Sequence, residues 1–558
     1  MAKPREARSQ GGDFVAEKVA KLIGGAGTGK TAAMMTVIEA AKDRLGGSPF
    51  SVGFSSFTRA ARAEAVSRAA DAWGIPDETL AKQGWFRTVH SIAYQQLGVD
   101  HGQLLTDNKE SVSWIANALG VPVGAINDEE ANTTRYVGDQ TAAAALNAWQ
   151  LARARMEPLA TTIQRMARLG ETVPADAVRQ YVGKYEQAKA DEDRLDFADL
   201  LARFAGVSFT VDGVEHVEPG GELPSEVKAW VFDEQQDASA LVDACCKRLA
   251  SGPQVKWVYL SGDPMQSIFG FGGSDSRFFV EWAADKTQTM TKTWRCPAPV
   301  LSLGESCLQR MRQGYWDRGV EPADHEGVVE RGGAPAACVR AIDPDQETLI
   351  IARCNHLLDE YTEELRRQNL PFLRLKSKEN SSAMLASKAL WSIEHHEPIS
   401  GGEMAAAIDK LPATGNMVRG TKAAWKHREM VRKWDVVFPD QLEQIGLKET
   451  LLARIRAGEW GGLVAGGKSW RASAVKCGPE KASRPSIRVG TIHASKGMEA
   501  DCVVMSIDST RRIDESQSLC QERHDEERRV EYVGITRARR RLILGSDITN
   551  GYKMRVRA

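Results

Sequence analysis

Residues 24–31 read Gly24-Gly25-Ala26-Gly27-Thr28-Gly29-Lys30-Thr31, which fits the phosphate-binding pattern G-x-x-x-x-G-K-[ST]. In that pattern the glycines let backbone N–H groups close around phosphate oxygens, the following helix points its positive end at them, and the lysine adds a full charge. The hydroxyl after the lysine, here Thr31, is placed to reach Mg²⁺. A Gly-rich turn before an ordinary helix would need neither Lys30 nor Thr31 at those offsets. The stretch therefore commits the chain to a nucleoside triphosphate, and to the strand–loop–helix unit that presents one.

On both sides of the loop, short apolar strands alternate with amphipathic helices: a helix from 30 to about 45, a strand at 50–54, a helix at 59–73, a strand running into Thr88 and a helix after His90. Further strands, 230–232 and 257–260, end in Asp233-Glu234 and in Ser261-Gly262-Asp263. This alternation predicts a parallel α/β sheet. Ligands of such sheets gather at the carboxyl ends of the strands, where both acidic clusters fall. Asp233-Glu234-Gln235-Gln236-Asp237 supplies two carboxylates for two tasks: Asp233 to hold Mg²⁺ through water, and Glu234 to orient and deprotonate the attacking water. Acidic pairs at strand ends also serve as helix N-caps, but the phosphate loop favours the hydrolytic reading.

Between about 98 and 190 the pattern turns Ala-rich and helical, with no evident strand, and reads as an inserted domain. A second α/β pattern starts near 278, with strands at 349–352 and around 487–491, 502–507 and 542–544. Residues 382–484, rich in helices and Gly turns, interrupt it. The expected division is 1–97 with 191–277, insertion 98–190, then 278–381 with 485–558 and insertion 382–484.

The chain has 558 residues, 42% of them hydrophobic and 26% charged, with a net charge of −1, the balance of a soluble protein of several domains. It has no apolar run near the ~20 residues of a membrane helix, and its first residues lack an apolar signal core. Nine cysteines without a CxxC pair or zinc spacing point to a reducing cytoplasm, with neither disulfide nor metal cluster. The net charge excludes a wholly basic coat but permits a basic groove. Arg59, Arg62 and Arg68 form one basic group and Arg537, Arg539, Arg540 and Arg541 another; the last three fit a solvated face equally well.

Further segments follow in order: Ser56-Phe57-Thr58, Thr88-Val89-His90-Ser91, the DEQQD run, Gly262-Asp263-Pro264-Met265-Gln266-Ser267-Ile268-Phe269-Gly270-Phe271, Thr293-Trp294-Arg295, 491–499 (TIHASKGME) and 527–538 (ERRVEYVGITRA). Together with the phosphate loop, and with 195–201 (LDFADLL) ahead of DEQQD, this series resembles the superfamily 1 helicases of the UvrD/PcrA/Rep group from about residue 22 to 545. The resemblance implies two RecA-like lobes with parallel sheets, 1A and 2A, each interrupted by a mainly helical insertion, 1B and 2B. It implies an ATP- and Mg²⁺-dependent DNA helicase moving 3′ to 5′ on single-stranded DNA, acting at single-strand/duplex junctions in repair or replication.

The same resemblance places roles on residues. Gln266 is similar to the glutamine that senses the γ-phosphate; Arg295 and Arg537 resemble the arginines that neutralise transition-state charge. Gly25, Ala26, Gly27, Thr28, Gly29, Lys30 and Thr31 would cradle the phosphates, Trp294 would stack on the base where relatives have tyrosine, and Glu499 would contact ribose. Phe57, Phe269 and Phe271 occupy base-stacking positions, and Thr58, His90, Arg353, Asn355 and His493 occupy positions that touch the strand. For Phe57, packing in the core is the competing reading. Ala32 replaces a common arginine, the upstream glutamine motif has only Gln10 as a counterpart, and Gly272-Gly273 stand where Arg-Gly is usual. Two other readings fit the same motifs: the helicase subunit of a helicase–nuclease complex, and a nucleotide-switched DNA-binding protein without unwinding.

Overall fold

The computed structural model describes residues 18–57, 59–128, 133–170, 173–375, 378–547 and 551–556. Gln10 and Thr58 lie outside the described residues. The chain divides into two compact units, Met1–Glu326 with Arg511–Thr536, and Gly327–Thr510 with Arg537–Ala558. No helix among the described residues is long and apolar enough to cross a membrane.

The first unit is built on a six-stranded sheet ordered Lys286–Met290, Val19–Gly24, Trp257–Gly262, Ala229–Asp233, Val52–Ser56, Trp85–Phe86. All its neighbours are parallel. Central strands such as AWVFD are buried at every position, which is why they read as continuous apolar runs. Two apolar layers cover the sheet. One includes Met34, Ile38, Phe54 and Phe86; the other includes Trp85, Ile92, Phe204 and Trp230.

This unit continues past the boundary expected at 277. Strand Lys286–Met290 joins its edge, with Gly24 opposite Met290. The residues of that strand alternate between half-exposed and exposed until Met290, so no apolar run marked it in the sequence. Helix Ala298–Leu308 packs against helix Gln521–Ile535, where a Cβ on Gly304 would come within 3.1 Å of the Tyr532 ring.

The helical stretch within this unit contains helices Lys109–Leu119, Gln140–Arg155, Leu159–Arg168 and Ala175–Asp191 around a core of its own that includes Ile115, Leu146, Trp149 and Tyr185. It also contains an antiparallel pair, Val123–Asp128 with Thr133–Gly138, where the sequence showed no strand. The chain runs into and out of this subdomain side by side, with Leu105 N–H donating to Leu195 O at 2.7 Å.

The second unit carries another six-stranded parallel sheet, ordered Val328–Gly333, Ala538–Gly545, Ala500–Ser506, Thr348–Ala352, Ile487–Thr491, Phe372–Arg374. Residues from Ala386 to Ala482 form a separate core, with Trp425, Trp460 and Trp470 among its buried members.

Candidate functional site

The phosphate loop leaves the sheet at Gly24 and enters helix Lys30–Arg44 through Gly29, whose φ of 86° lies in the left-handed region that only glycine adopts cheaply. Gly27 is fixed for a second reason. Its φ is 69°, and a Cβ there would lie 2.3 Å from Arg295 Cβ. The Lys30 ammonium is nearly buried and donates to Gly24 O at 2.8 Å and Gly25 O at 3.3 Å; a phosphate would compete for those bonds. Thr28 donates its hydroxyl to Gly25 O at 3.0 Å. Thr31 stands in the first turn of the helix.

Segment 293–295 clamps this loop. Thr293 Oγ1 donates to Ala26 O at 2.7 Å, and Trp294 N–H donates to Gly27 O at 2.9 Å. Arg295 Nη1 donates to Thr536 O at 3.4 Å. The Ala26 N–H donates to the Tyr532 hydroxyl at 3.2 Å.

The two carboxylates follow strand Ala229–Asp233, two strands away from the loop. Asp233 is buried and accepts from Ser261 Oγ at 2.7 Å. Burial and the neighbouring Glu234 push its carboxyl up to about 6, while Ser261 and Lys30 pull it back down. Glu234 has a φ of 55°, an unusual backbone for a residue with a Cβ and of the kind that collects at functional positions. Its Oε2 accepts from Gln236 Nε2 at 2.5 Å.

Gln236 also reaches the third acidic position, its Oε1 accepting from Asp263 N–H at 3.0 Å. Gln266 Nε2 donates to Asp263 Oδ2 at 2.7 Å. Opposite, Arg318 Nη1 donates to Asp263 Oδ1 at 2.7 Å. Burial would raise the Asp263 carboxyl, but Arg318 and Lys30 outweigh it and hold the group below the usual carboxylate range.

Segment 267–274 is stitched to the same run. Ser267 Oγ donates to Gln236 O at 2.9 Å, and Ser274 Oγ to Asp237 O at 2.6 Å. Phe57 and Phe269 stack with centroids 5.9 Å apart, and Phe269 meets Phe271 edge-on at 6.1 Å. Exposure separates the three aromatics expected to stack on bases. Phe271 is 40% exposed, whereas Phe269 is 1% exposed and supports its neighbours without presenting a face of its own. His90 is half-buried against Phe197. A hollow lined by Phe57, His90, Ser55, Ser56, Asp233 and Glu234 joins the aromatic side to the hydrolytic side.

In the second unit Ala352 pairs with Thr491, which brings Arg353, Asn355 and His493 to one end of two adjacent strands. Arg537 is buried and donates to Met498 O at 3.1 Å. Glu499 pairs with Arg539 at 3.3 Å. The arginine run divides: Arg539 also pairs with Asp501 at 3.0 Å and Arg541 with Glu330 at 2.8 Å, while Arg540 is exposed.

Comparison with known proteins identifies the family. Residues 11–287 match the UvrD/REP helicase N-terminal domain, and residues 473–547 match the UvrD-like helicase C-terminal domain. The chain belongs to the UvrD/Rep helicase family. Its two parallel sheets are the RecA-like lobes of that family. Proteins named ATP-dependent DNA helicase UvrD2 from Mycobacterium bovis and Mycobacterium tuberculosis are 24% identical to it over 412 residues, 68% of this chain. The chain spans about half of these relatives' length, 55%.

Three residues of this UvrD-type site escaped the sequence reading. Ser261 sits at a strand end with nothing in its sequence to mark it as a partner of Asp233, and Tyr532 sits in a motif with nothing to mark its hydroxyl as the acceptor of the Ala26 N–H. Arg318, in 309–326, belongs to none of the quoted motifs, and its polar surroundings gave no sign that it would be buried.

Proposed function

We propose that the chain is an ATP-dependent DNA helicase that translocates 3′ to 5′ along single-stranded DNA and unwinds duplex at a single-strand junction. One observation carries this reading. The DEQQD run bonds on one side to Asp263, whose carboxylate in turn accepts from Gln266, and on the other to the segment bearing Phe269 and Phe271. Hydrolytic groups and an exposed aromatic thus share one hydrogen-bonded unit.

Lys30 would leave the loop carbonyls for the phosphates of ATP, with the amides of 25–31 closing around them. A buried carboxylate with a raised pKa, a second carboxylate beside it and the Thr31 hydroxyl make a donor set suited to a hard divalent cation, so Asp233 and Thr31 would hold Mg²⁺. When bound, Mg²⁺ would neutralise phosphate charge. Glu234 would take the proton of the attacking water. Arg295 and Arg537 are assigned to the charge that develops on the transferred phosphoryl group. Trp294 would cover the base and Glu499 would meet the ribose.

Phe271, with Phe57, His90, Arg353, Asn355 and His493, would follow the strand. Base stacking and backbone contacts of this kind are indifferent to sequence. A change at the γ-phosphate felt by Gln266 would alter the grip of the aromatic segment, and two states of unequal grip convert hydrolysis into movement. The test is ATP turnover with and without single-stranded DNA, beside strand displacement on duplexes tailed at either end.

A further inference from the structure

Arg318 has 4% of its surface exposed and two carboxylate partners. Nη1 meets Asp263 Oδ1 at 2.7 Å and Nη2 meets Glu305 Oε1 at 2.6 Å. Its guanidinium also lies over the Tyr532 ring, 5.1 Å from the centroid. Each contact leads toward the nucleotide site. The second oxygen of Asp263 holds the Gln266 amide at 2.7 Å. The Tyr532 hydroxyl receives the Ala26 N–H of the phosphate loop at 3.2 Å, and Glu305 lies on helix Ala298–Leu308, which packs against the helix bearing Tyr532.

A buried arginine joining two acidic groups from separate segments serves geometry more than net stability, since desolvation offsets most of the Coulombic gain. The fork of a guanidinium fixes directions that a lysine, a single point charge, leaves loose. Without it Asp263 would be a buried carboxylate left with the Gln266 amide, the Met265 N–H and the Lys30 charge.

We propose that Arg318 is a positioning residue for ATP hydrolysis: it orients Asp263 so that Gln266 is held toward the γ-phosphate, and it seats Tyr532 against the phosphate loop. This rests on the helicase reading, in which Gln266 is the γ-phosphate sensor. Arg318 itself touches no nucleotide and acts through these two neighbours.

The test uses the full chain with Arg318→Lys, Arg318→Gln and Gln266→Ala, singly and combined, each checked by thermal melting. DNA-stimulated kcat and KM for ATP are measured for each. Arg318→Lys is expected to lower kcat about tenfold with KM changed less than about twofold, because the loss lies in the transition state and not in ground-state binding. On the Gln266→Ala background the same substitution should lower kcat by clearly less than about tenfold, because only the route through Tyr532 remains, the non-additivity of residues that act as one unit. Equal losses on both backgrounds, a loss confined to KM, or an unchanged kcat would overturn the proposal. Should Arg318→Gln yield no soluble protein, Arg318→Lys, which keeps a cation against Asp263, decides the matter alone. Failure of the underlying reading looks different: the unsubstituted chain would then hydrolyse no ATP, or Gln266→Ala would leave DNA-stimulated turnover intact, and either result removes the proposal too.

Discussion

The Ser261 hydroxyl donates to Asp233 Oδ1 at 2.7 Å, across adjacent strands of the first sheet. This is the bond that most directly favours the charged form of a carboxylate that burial and Glu234 push up to about 6.

The sign of the pH dependence follows. With a folded-state value above the ordinary 3.8, the proton stabilises the fold; that contribution is complete below 3.8 and is lost as pH rises through about 6. Mg²⁺ needs the ionised form, so Mg²⁺-dependent stabilisation of the nucleotide complex should be full well above about 6 and fade below it. Ser261→Ala should move that limb to higher pH. Thermal shift with and without Mg²⁺ across the range checks it, and a limb that does not move with Ser261→Ala would count against the bond's role.

Lys30→Ala and Glu234→Gln should separate binding from chemistry. Lys30→Ala removes the fixed cation of the loop and should abolish hydrolysis while single-stranded DNA binding survives. Glu234→Gln leaves Asp233 and should hold Mg·ATP while turnover falls by about 10²-fold or more. A fluorescent nucleotide titration beside a turnover assay distinguishes the two. Loss of nucleotide binding in Glu234→Gln would reverse the assignment.

Much of this was legible in the sequence because the phosphate loop, DEQQD and GDPMQSI lie at the ends of buried strands whose apolar runs are unmistakable. Strand Lys286–Met290 was not, because an edge strand exposes alternate residues. The antiparallel pair Val123–Asp128 with Thr133–Gly138 was hidden for a related reason: Ile126 is 55% exposed and Arg135 is exposed, so the pair carries little apolar signal. Arg318 was illegible because its burial depends on Asp263 and Glu305, 55 and 13 residues away in the chain. The division of the three phenylalanines is likewise tertiary: FGFGG names two aromatics, but only packing against Phe57 decides which one is covered.

That division gives a contrast between neighbours. Phe271→Ala should weaken single-stranded DNA binding by about 1–3 kcal/mol with little change in melting temperature. Phe269→Ala, which empties a buried site, should cost about 3–5 kcal/mol of stability. Fluorescence anisotropy with a labelled oligonucleotide and denaturant unfolding read the two effects. Equal behaviour of the two variants would show that Phe271 packs and does not stack.

Arg537→Ala should lower turnover by about 10³-fold if the residue acts on transition-state charge, with nucleotide affinity changing far less. Its bond to Met498 O supplies the competing outcome, a drop in melting temperature with turnover per folded molecule preserved. Kinetics and melts on one preparation decide between them.

The most direct measurement of the central claim is ATP turnover and strand displacement by the purified chain on duplexes bearing a 3′ or a 5′ single-stranded tail. The account predicts hydrolysis strongly stimulated by single-stranded DNA, displacement of the 3′-tailed substrate only, and loss of displacement in Glu234→Gln. Hydrolysis indifferent to DNA, or displacement from the 5′ tail alone, would contradict it.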